Sequence, residues 1–135
     1  MKIAIIGLGF VGLTLSSVLA SKGIKTVGID SDRKKCSKIT KGIPTFFEPN
    51  LEKTLKKALK KNLLITDKLS SINNCDFIFV TVGTPQKKNG EIDLSFMKTA
   101  VRSLGKIILK NKKKSIILIK STVIPGTMKD VILPI

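Results

Sequence analysis

The sequence contains no tryptophan, no tyrosine and no histidine, and it has only two cysteines. Without histidine, and with Cys36 and Cys75 far apart, the ligand spacing typical of a structural zinc site is absent. The six phenylalanines are the only aromatic residues, so the core is expected to be mainly aliphatic. We therefore expect no metal cofactor, and we expect both thiols to be buried without a chemical role.

Long hydrophobic runs are also lacking. A membrane-spanning helix needs about 18 or more consecutive apolar residues, and no run in this chain approaches that length. The first ten residues, MKIAIIGLGF, are typical of a buried strand that leads into a glycine turn rather than of a secretion signal. The sequence therefore predicts a cytoplasmic protein with no membrane partner.

Acidic residues are scarce: 9 aspartates and glutamates accompany 25 basic residues, which gives a formal net charge of +16. Such an excess raises the hypothesis of nucleic-acid binding. However, only two of the basic residues are arginines, and no aromatic residues are interleaved with the lysines to stack on bases. We therefore expect no nucleic-acid partner and interpret the lysines as solvated helix faces. In one such pattern, four lysines flank four apolar positions: Lys56, Lys57, Lys60 and Lys61 beside Leu51, Leu55, Ala58 and Leu59.

Short apolar runs alternate with helical patterns along the 135 residues, which is the length of one domain. The predicted strands are 3–6, 26–29, 63–66, 76–82 and 115–121, and the last two are expected to be buried because they are apolar without polar alternation. The predicted helices are 10–22, 33–41, one from Pro49, one after an N-cap at Asp93 and one from about Met128, with lysines 112–114 before the last strand. This alternation is typical of an α/β fold with a doubly wound parallel sheet. We predict one unit, 1–135, that is incomplete at its C-terminal end.

Three glycines mark the junction between the first strand and the first helix. Gly7, Gly9 and Gly12 form GxGxxG in the strand-turn-helix context that gives this pattern physical meaning. The first allows a tight turn, the second lets the backbone approach a pyrophosphate, and the third allows close packing of helix on strand. Asp30 ends the second strand, where a carboxylate can accept hydrogen bonds from an adenosine ribose. These residues predict a Rossmann-type dinucleotide site, and the alternative is a glycine-rich turn with an aspartate that caps the next helix.

The residues that follow the second strand bear on the choice of dinucleotide. The carboxylate of Asp30 repels a 2′-phosphate, which favours NAD over NADP. Asp32, Arg33 and Lys35 complicate this choice, because a nearby cation accommodates the 2′-phosphate in NADP-specific proteins. We expect NAD as the cofactor.

Three further segments make the pattern much more specific than the glycine turn alone. They are Gly42-Ile43-Pro44 with FEPNL at 47–51, TVGTP at 81–85 and KSTVIPGT at 120–127. In order and spacing, and together with GLGFVGL at the start, they resemble the UDP-glucose and GDP-mannose dehydrogenase family over nearly the whole chain. The resemblance implies NAD-dependent oxidation of the C6 alcohol of a nucleotide sugar. The likeness of 83–97 and 121–127 favours UDP-glucose, with UDP-N-acetylmannosamine and GDP-mannose as alternatives.

The resemblance also implies roles for individual residues. The glycine turn would contact the cofactor, Asp30 would bind the ribose, and Lys35 would face the adenosine end. The loop after the fourth strand would lie along the cofactor, and Ser121 and Thr122 would lie beside the nicotinamide. The whole implied cofactor set is Gly7, Leu8, Gly9, Phe10, Val11, Gly12, Asp30, Lys35, Val82, Gly83, Thr84, Pro85, Ser121 and Thr122. Thr122 is the only residue with an implied catalytic role, which is to help position the reacting groups.

Family members oxidise the alcohol twice, through a thioester on a cysteine. That cysteine and the acid and base groups lie later in the family's chain, and neither Cys36 nor Cys75 corresponds to it. We therefore expect this chain to bind NAD and to be inactive alone, and we expect the full-length enzyme to be a homo-oligomer. Glu48 and Pro49 are interpreted as a helix start, with a substrate-side role for Glu48 as the weaker alternative.

Two hypotheses from other classes stay open at this point. One is a non-catalytic regulatory domain that senses NAD, which would need the glycine turn and Asp30 but not the loops that contain Thr84 and Thr122. The other is a different oxidoreductase of the same fold, such as a hydroxyacid dehydrogenase. Fold alone does not choose among them, because one fold carries many functions.

Overall fold

A five-stranded sheet forms the centre of the chain in the computed structural model, which describes residues 1–111 and 113–135. Its strands are β1 (Lys2–Ile6), β2 (Lys25–Ile29), β3 (Leu63–Thr66), β4 (Phe77–Val80) and β5 (Ile116–Ile119). They follow the order β3-β2-β1-β4-β5, and each neighbouring pair is parallel. This arrangement confirms the predicted α/β, Rossmann-type sheet, in which the strand order reverses between β1 and β4.

Four α-helices connect the strands: α1 (Phe10–Ser21), α2 (Arg33–Thr40), α3 (Leu51–Leu59) and α4 (Ser95–Ile108). A short 3₁₀ turn (Leu69–Ile72) follows β3, and the predicted last helix is a π-helical turn (Met128–Ile132). Of the lysines predicted to precede β5, Lys112 lies outside the described residues. Within the described chain, every helix is too short or too polar to cross a membrane.

The core consists of two apolar clusters. One cluster combines side chains of β1, β2 and β4 with those of α4 and the two short turns: Ala4, Ile6, Val27, Ile29, Ile72, Cys75, Ile78, Val80, Met97, Leu104 and Ile132. The other combines α1, α2 and α3 with β3: Leu8, Leu13, Ala20, Cys36, Ile39, Leu51, Leu55, Ala58, Leu63 and Ile65. Successive side chains of a strand point to opposite faces, so a sheet with helices on both faces needs two such clusters.

The predicted start of α3 was wrong by two residues. The helix begins at Leu51, and Asn50 before it has a φ of 64°, in the left-handed region. A residue with this dihedral angle does not continue a right-handed helix, so Pro49 stays in the loop. The residues around Pro49 therefore form a turn before α3, and Pro49 is not the first residue of that helix.

The predicted N-cap of α4 and the predicted ends of two strands also differ from the structure. Leu94 is the N-cap of α4. Asp93 lies one residue before it, and its Oδ1 atom accepts a hydrogen bond from the amide of Ser95, the first residue of the helix (2.8 Å). β4 ends at Val80 and β5 at Ile119, each two residues before the predicted end. The polar residues that follow have left the sheet and form loops at its carboxyl edge.

The prediction that β5 is a buried strand was wrong. Ile116 is 58% exposed and Ile117 is 43% exposed. Among the described strands, β5 pairs only with β4, which makes it an edge strand. An apolar run indicates burial only where both faces and both edges are covered, and a single sequence carries no signal for the position of a strand within the sheet.

The interpretation of the lysines as a solvated face holds for α3. Leu51, Leu55 and Ala58 are buried, whereas the four lysines of the predicted pattern (Lys56, Lys57, Lys60 and Lys61) are exposed. Lys56 also pairs with Glu52 one helical turn earlier. Lys56 and Lys57 thus lie on the outer face of this amphipathic helix, and Lys60 and Lys61 follow its last residue.

The buried stripe of α3 is expected to contribute strongly to stability. Leu55 is fully buried, so Leu55→Ala should lower the free energy of unfolding by about 2–5 kcal/mol through lost burial and a cavity. Leu64→Ala is the matched control, because Leu64 is 55% exposed on β3; its effect should be about 1 kcal/mol or less. Urea unfolding followed by circular dichroism measures both. Equal losses would contradict this description of the core.

Candidate functional site

The turn between β1 and α1 requires glycine at its first position. Gly7 has a φ of +97°, and its amide donates a hydrogen bond to the Ile29 carbonyl at the end of β2 (2.7 Å). A Cβ atom at this position would lie 2.9 Å from the backbone of Thr81 and Val82. Both the dihedral angle and the lack of space exclude a larger side chain.

The other two glycines differ in what surrounds them. A Cβ atom at Gly12 would lie only 1.8 Å from the Gly7 carbonyl oxygen, so glycine permits α1 to pack this close to the turn. A Cβ atom at Gly9 would meet nothing within 4 Å. Gly9 is the N-cap of α1 and supplies no side chain to cap the first amides of the helix. An open, uncapped helix N-terminus of this kind fits a phosphate group.

The carboxylate of Asp30 connects the turn to the end of β2. Its Oδ2 atom accepts hydrogen bonds from the Leu8 amide (2.8 Å) and from Lys35 Nζ (2.9 Å), and its Oδ1 atom accepts one from the Asp32 amide (3.0 Å). The side chain is only 10% exposed. A carboxylate has about four lone-pair sites, so one acceptor site remains beside these three donors.

Two loops on the other side of the turn are joined by side-chain hydrogen bonds. The Ser121 hydroxyl donates to the Val82 carbonyl (2.6 Å), and the Thr84 hydroxyl donates to the Thr122 carbonyl (3.0 Å). The side chain of Thr122 remains exposed. The loops after β4 and β5 therefore lie against each other at one edge of the sheet.

Thr81 belongs to the TVGTP segment at 81–85 but is not among the predicted site residues. Its buried hydroxyl lies within hydrogen-bond distance of two carbonyl oxygens, those of Ile6 (3.0 Å) and Gly7 (2.7 Å). In the sequence, Thr81 reads as the continuation of the apolar run FIFVTV. A hydroxyl at the carboxyl end of such a run is the signal that could have indicated a turn contact.

The predicted site residues meet at one edge of the sheet. The glycine turn follows β1, Asp30 follows β2, Val82 to Pro85 come after β4 and Thr81, and Ser121 with Thr122 comes after β5. This edge includes the point between β1 and β4 where the strand order reverses. Open α/β sheets bind ligands at such a point. Contact between these residues and a cofactor stays a prediction.

An open cavity of ≈ 490 Å³ lies next to this edge, in the loop before α3. Its lining comes entirely from that loop and helix: Pro44, Phe46, Phe47, Glu48, Asn50, Glu52, Lys53 and Lys56. The rings of Phe46 and Phe10 are tilted against each other with their centroids 4.3 Å apart, which connects the loop to the start of α1. Because no residue of the glycine turn lines the cavity, its geometry adds nothing to the cofactor prediction.

Both cysteines are buried, as predicted. Burial raises the pKa of the Cys36 thiol and that of the Cys75 thiol. Cys36 Sγ lies on α2 and donates a weak hydrogen bond to the Asp30 carbonyl (3.3 Å). Cys75 precedes β4, at the opposite edge of the sheet. In the part of the chain that the structure describes, no three acidic or cysteine side chains are grouped as metal ligands.

The sheet order and the edge geometry define a Rossmann-type dinucleotide-binding domain. The chain belongs to the UDP-glucose/GDP-mannose dehydrogenase family, because the family model of the NAD binding domain matches residues 1–135. This match confirms the resemblance seen in the motifs and the expectation of NAD as the cofactor.

Individual relatives agree with this membership. GDP-mannose 6-dehydrogenase of Pseudomonas aeruginosa is 34% identical over 100% of this chain and 31% of its own length. The crystal structure of a ternary complex of GDP-mannose dehydrogenase from that organism covers 99% of this chain and 31% of its own, at 34% identity and a TM-score of 0.96. The UDP-glucose dehydrogenase structure from Pyrobaculum islandicum covers 93% and 30%, at 31% identity and a TM-score of 0.88. The chain thus spans less than a third of the length of these relatives.

The contact of Thr81 with the glycine turn can be tested by removing only the hydroxyl. Thr81→Val keeps the branched shape but removes the donor that lies near the buried Ile6 carbonyl and the partly buried Gly7 carbonyl. The free energy of unfolding should fall by about 1–3 kcal/mol. Thr81→Ser retains the hydroxyl and should recover at least half of that loss. Urea unfolding of the three proteins makes the comparison, and a Thr81→Val chain as stable as the wild type would contradict the contact.

Proposed function

We propose that residues 1–135 form one dinucleotide-binding domain, and that this domain supplies the NAD site of an enzyme that oxidises the C6 alcohol of a nucleotide sugar. One observation carries the proposal. The Asp30 carboxylate accepts a hydrogen bond from the Leu8 amide, and this bond holds the carboxylate beside the uncapped N-terminus of α1. One end of this arrangement suits a ribose hydroxyl, and the other suits a pyrophosphate.

The residues present fit the adenosine half of NAD. The open space at Gly9 and the uncapped amides of α1 suit the pyrophosphate. The remaining acceptor site on Asp30 suits a ribose hydroxyl, which donates a hydrogen bond. The Lys35 ammonium, 2.9 Å from Asp30, offers further donors at the same place, and Leu8, Phe10 and Val11 complete the turn.

The joined loops after β4 and β5 are the proposed boundary of the nicotinamide half. Bound NAD supplies a hydride acceptor. Val82, Gly83, Thr84 and Pro85 would lie along the cofactor. Ser121 and Thr122 would lie beside the nicotinamide, and the exposed Thr122 side chain would help position the reacting alcohol. The Thr84 and Ser121 hydroxyls already donate within the loops, so we assign these two residues mainly to holding the loops in place.

We further propose that this chain alone binds NAD without turnover. Oxidation through a thioester needs an accessible thiolate. Cys36 and Cys75 are both buried, and burial raises the pKa of each thiol, which disfavours the thiolate. Neither residue lies on the loops that form the proposed nicotinamide boundary.

Three nucleotide sugars are candidates for the substrate of the full-length enzyme: UDP-glucose, GDP-mannose and UDP-N-acetylmannosamine. The resemblance of 83–97 and 121–127 favours UDP-glucose. The similarity to the Pseudomonas aeruginosa enzyme, with a TM-score of 0.96, favours GDP-mannose. Initial rates of NAD reduction by the full-length enzyme with each of the three nucleotide sugars would distinguish the candidates.

Titration calorimetry of the 135-residue chain with NAD tests the proposal directly. Asp30→Ala removes the ribose acceptor and the anchor of Leu8, and the affinity for NAD should fall by about 10- to 100-fold, as expected for a hydrogen bond to a charged group. Asp76→Ala is the matched control, since Asp76 also accepts a backbone amide, that of Lys2 (2.7 Å), but at the opposite edge of the sheet.

The control chain should bind NAD as the wild type does. Circular dichroism of each variant verifies that it is folded. A folded wild-type chain that binds no NAD would overturn the proposal, and so would an Asp30→Ala chain with undiminished affinity.

A further inference from the structure

A second ion pair lies beside the proposed ribose site. Arg33, the first residue of α2, has its Nε atom 2.8 Å from Asp67 Oδ2, just after β3. The Arg33 side chain is 87% exposed, whereas that of Asp67 is only 29% exposed. The arginine is therefore a cation of the surface, and the aspartate is its partly buried partner.

The position of this pair relative to Asp30 is set by the sheet. Ile29 of β2 is in register with Thr66 of β3, so Asp30 and Asp67 follow paired residues at the same edge. The Asp30 amide also donates a hydrogen bond to the Thr66 carbonyl (3.2 Å). α2 thus supplies one cation to each carboxylate, Lys35 to Asp30 and Arg33 to Asp67.

We propose that Asp67 is a specificity-determining residue that disfavours NADP by keeping Arg33 occupied. This inference rests on the proposed function, which places an adenosine ribose at Asp30. A 2′-phosphate on that ribose would need a further cation next to Asp30, because Lys35 is already paired with Asp30. The guanidinium of arginine suits this task, because its parallel donors bind phosphate oxygens in pairs. While Arg33 is bound to Asp67, its Nε donor is directed to that carboxylate, which holds the guanidinium beside the end of β3.

The size of the effect follows from the exposure of the pair. An exposed ion pair is weak, so release of Arg33 should strengthen NADP binding by about five-fold and no more. NAD carries no 2′-phosphate, so its affinity should change by less than about two-fold, the scale of a screened surface charge. The quantity to measure is therefore the ratio of the two dissociation constants.

The experiment is a set of calorimetric titrations of the whole chain with NAD and with NADP, extended into the millimolar range. Asp67→Asn releases Arg33 with little change in shape, Arg33→Ala removes the cation, and the double variant combines them. Asp76→Asn is the matched control, because Asp76 is also a partly exposed carboxylate paired with a lysine, Lys113 (2.6 Å), and its removal changes the net charge equally.

The inference predicts that Asp67→Asn moves the ratio towards NADP by about five-fold, that Arg33→Ala abolishes this gain, and that Asp76→Asn leaves the ratio unchanged. An unchanged ratio in Asp67→Asn, with NAD still bound, would overturn this inference alone. An equal gain in the presence and absence of Arg33, or in Asp76→Asn, would show simple charge repulsion and would also overturn it. Failure of the folded wild type to bind NAD would overturn the proposed function together with this inference.

Discussion

The hydrogen bond from the Leu8 amide to the Asp30 carboxylate is the contact on which the candidate site depends. It joins the turn after β1 to the end of β2, and it is buried, so loss of the acceptor would leave the amide unsatisfied. The same carboxylate receives Lys35 and the Asp32 amide at the start of α2. One side chain thereby fixes the positions of a strand end, a turn and a helix start.

The turn is held from the other side by β4. The Thr81 hydroxyl reaches the Gly7 carbonyl, and the lack of a side chain at Gly7 lets the two backbones approach each other. Held from both neighbouring strands, the turn leaves open space at Gly9, and among the described residues no side chain of the N-cap position caps α1. A rigid turn with a free helix N-terminus is what a pyrophosphate needs, so the features that stabilise the fold also prepare the site.

Local sequence patterns predicted correctly those features of the structure that depend on interactions between residues close together in the chain. The glycine spacing, the carboxylate after β2 and the strand at 63–66 agree with the structure, because each depends on nearby residues. The exposure of Ile116 was missed because it depends on the position of β5 in the sheet. Thr81 was missed because its partners lie 74 and 75 residues away in the chain. The left-handed Asn50, which delays α3, has no clear signal in the sequence around it.

We expect NAD to lie across the glycine turn at the carboxyl edge of the sheet. The most direct measurement is the change in backbone amide chemical shifts of the ¹⁵N-labelled chain during titration with NAD. The account predicts shifts at Leu8, Gly9, Phe10 and Val82, and none at Ser115 and Asp76 on the opposite edge. Shifts confined to the loop before α3, or to the amino edge of the sheet, would contradict it.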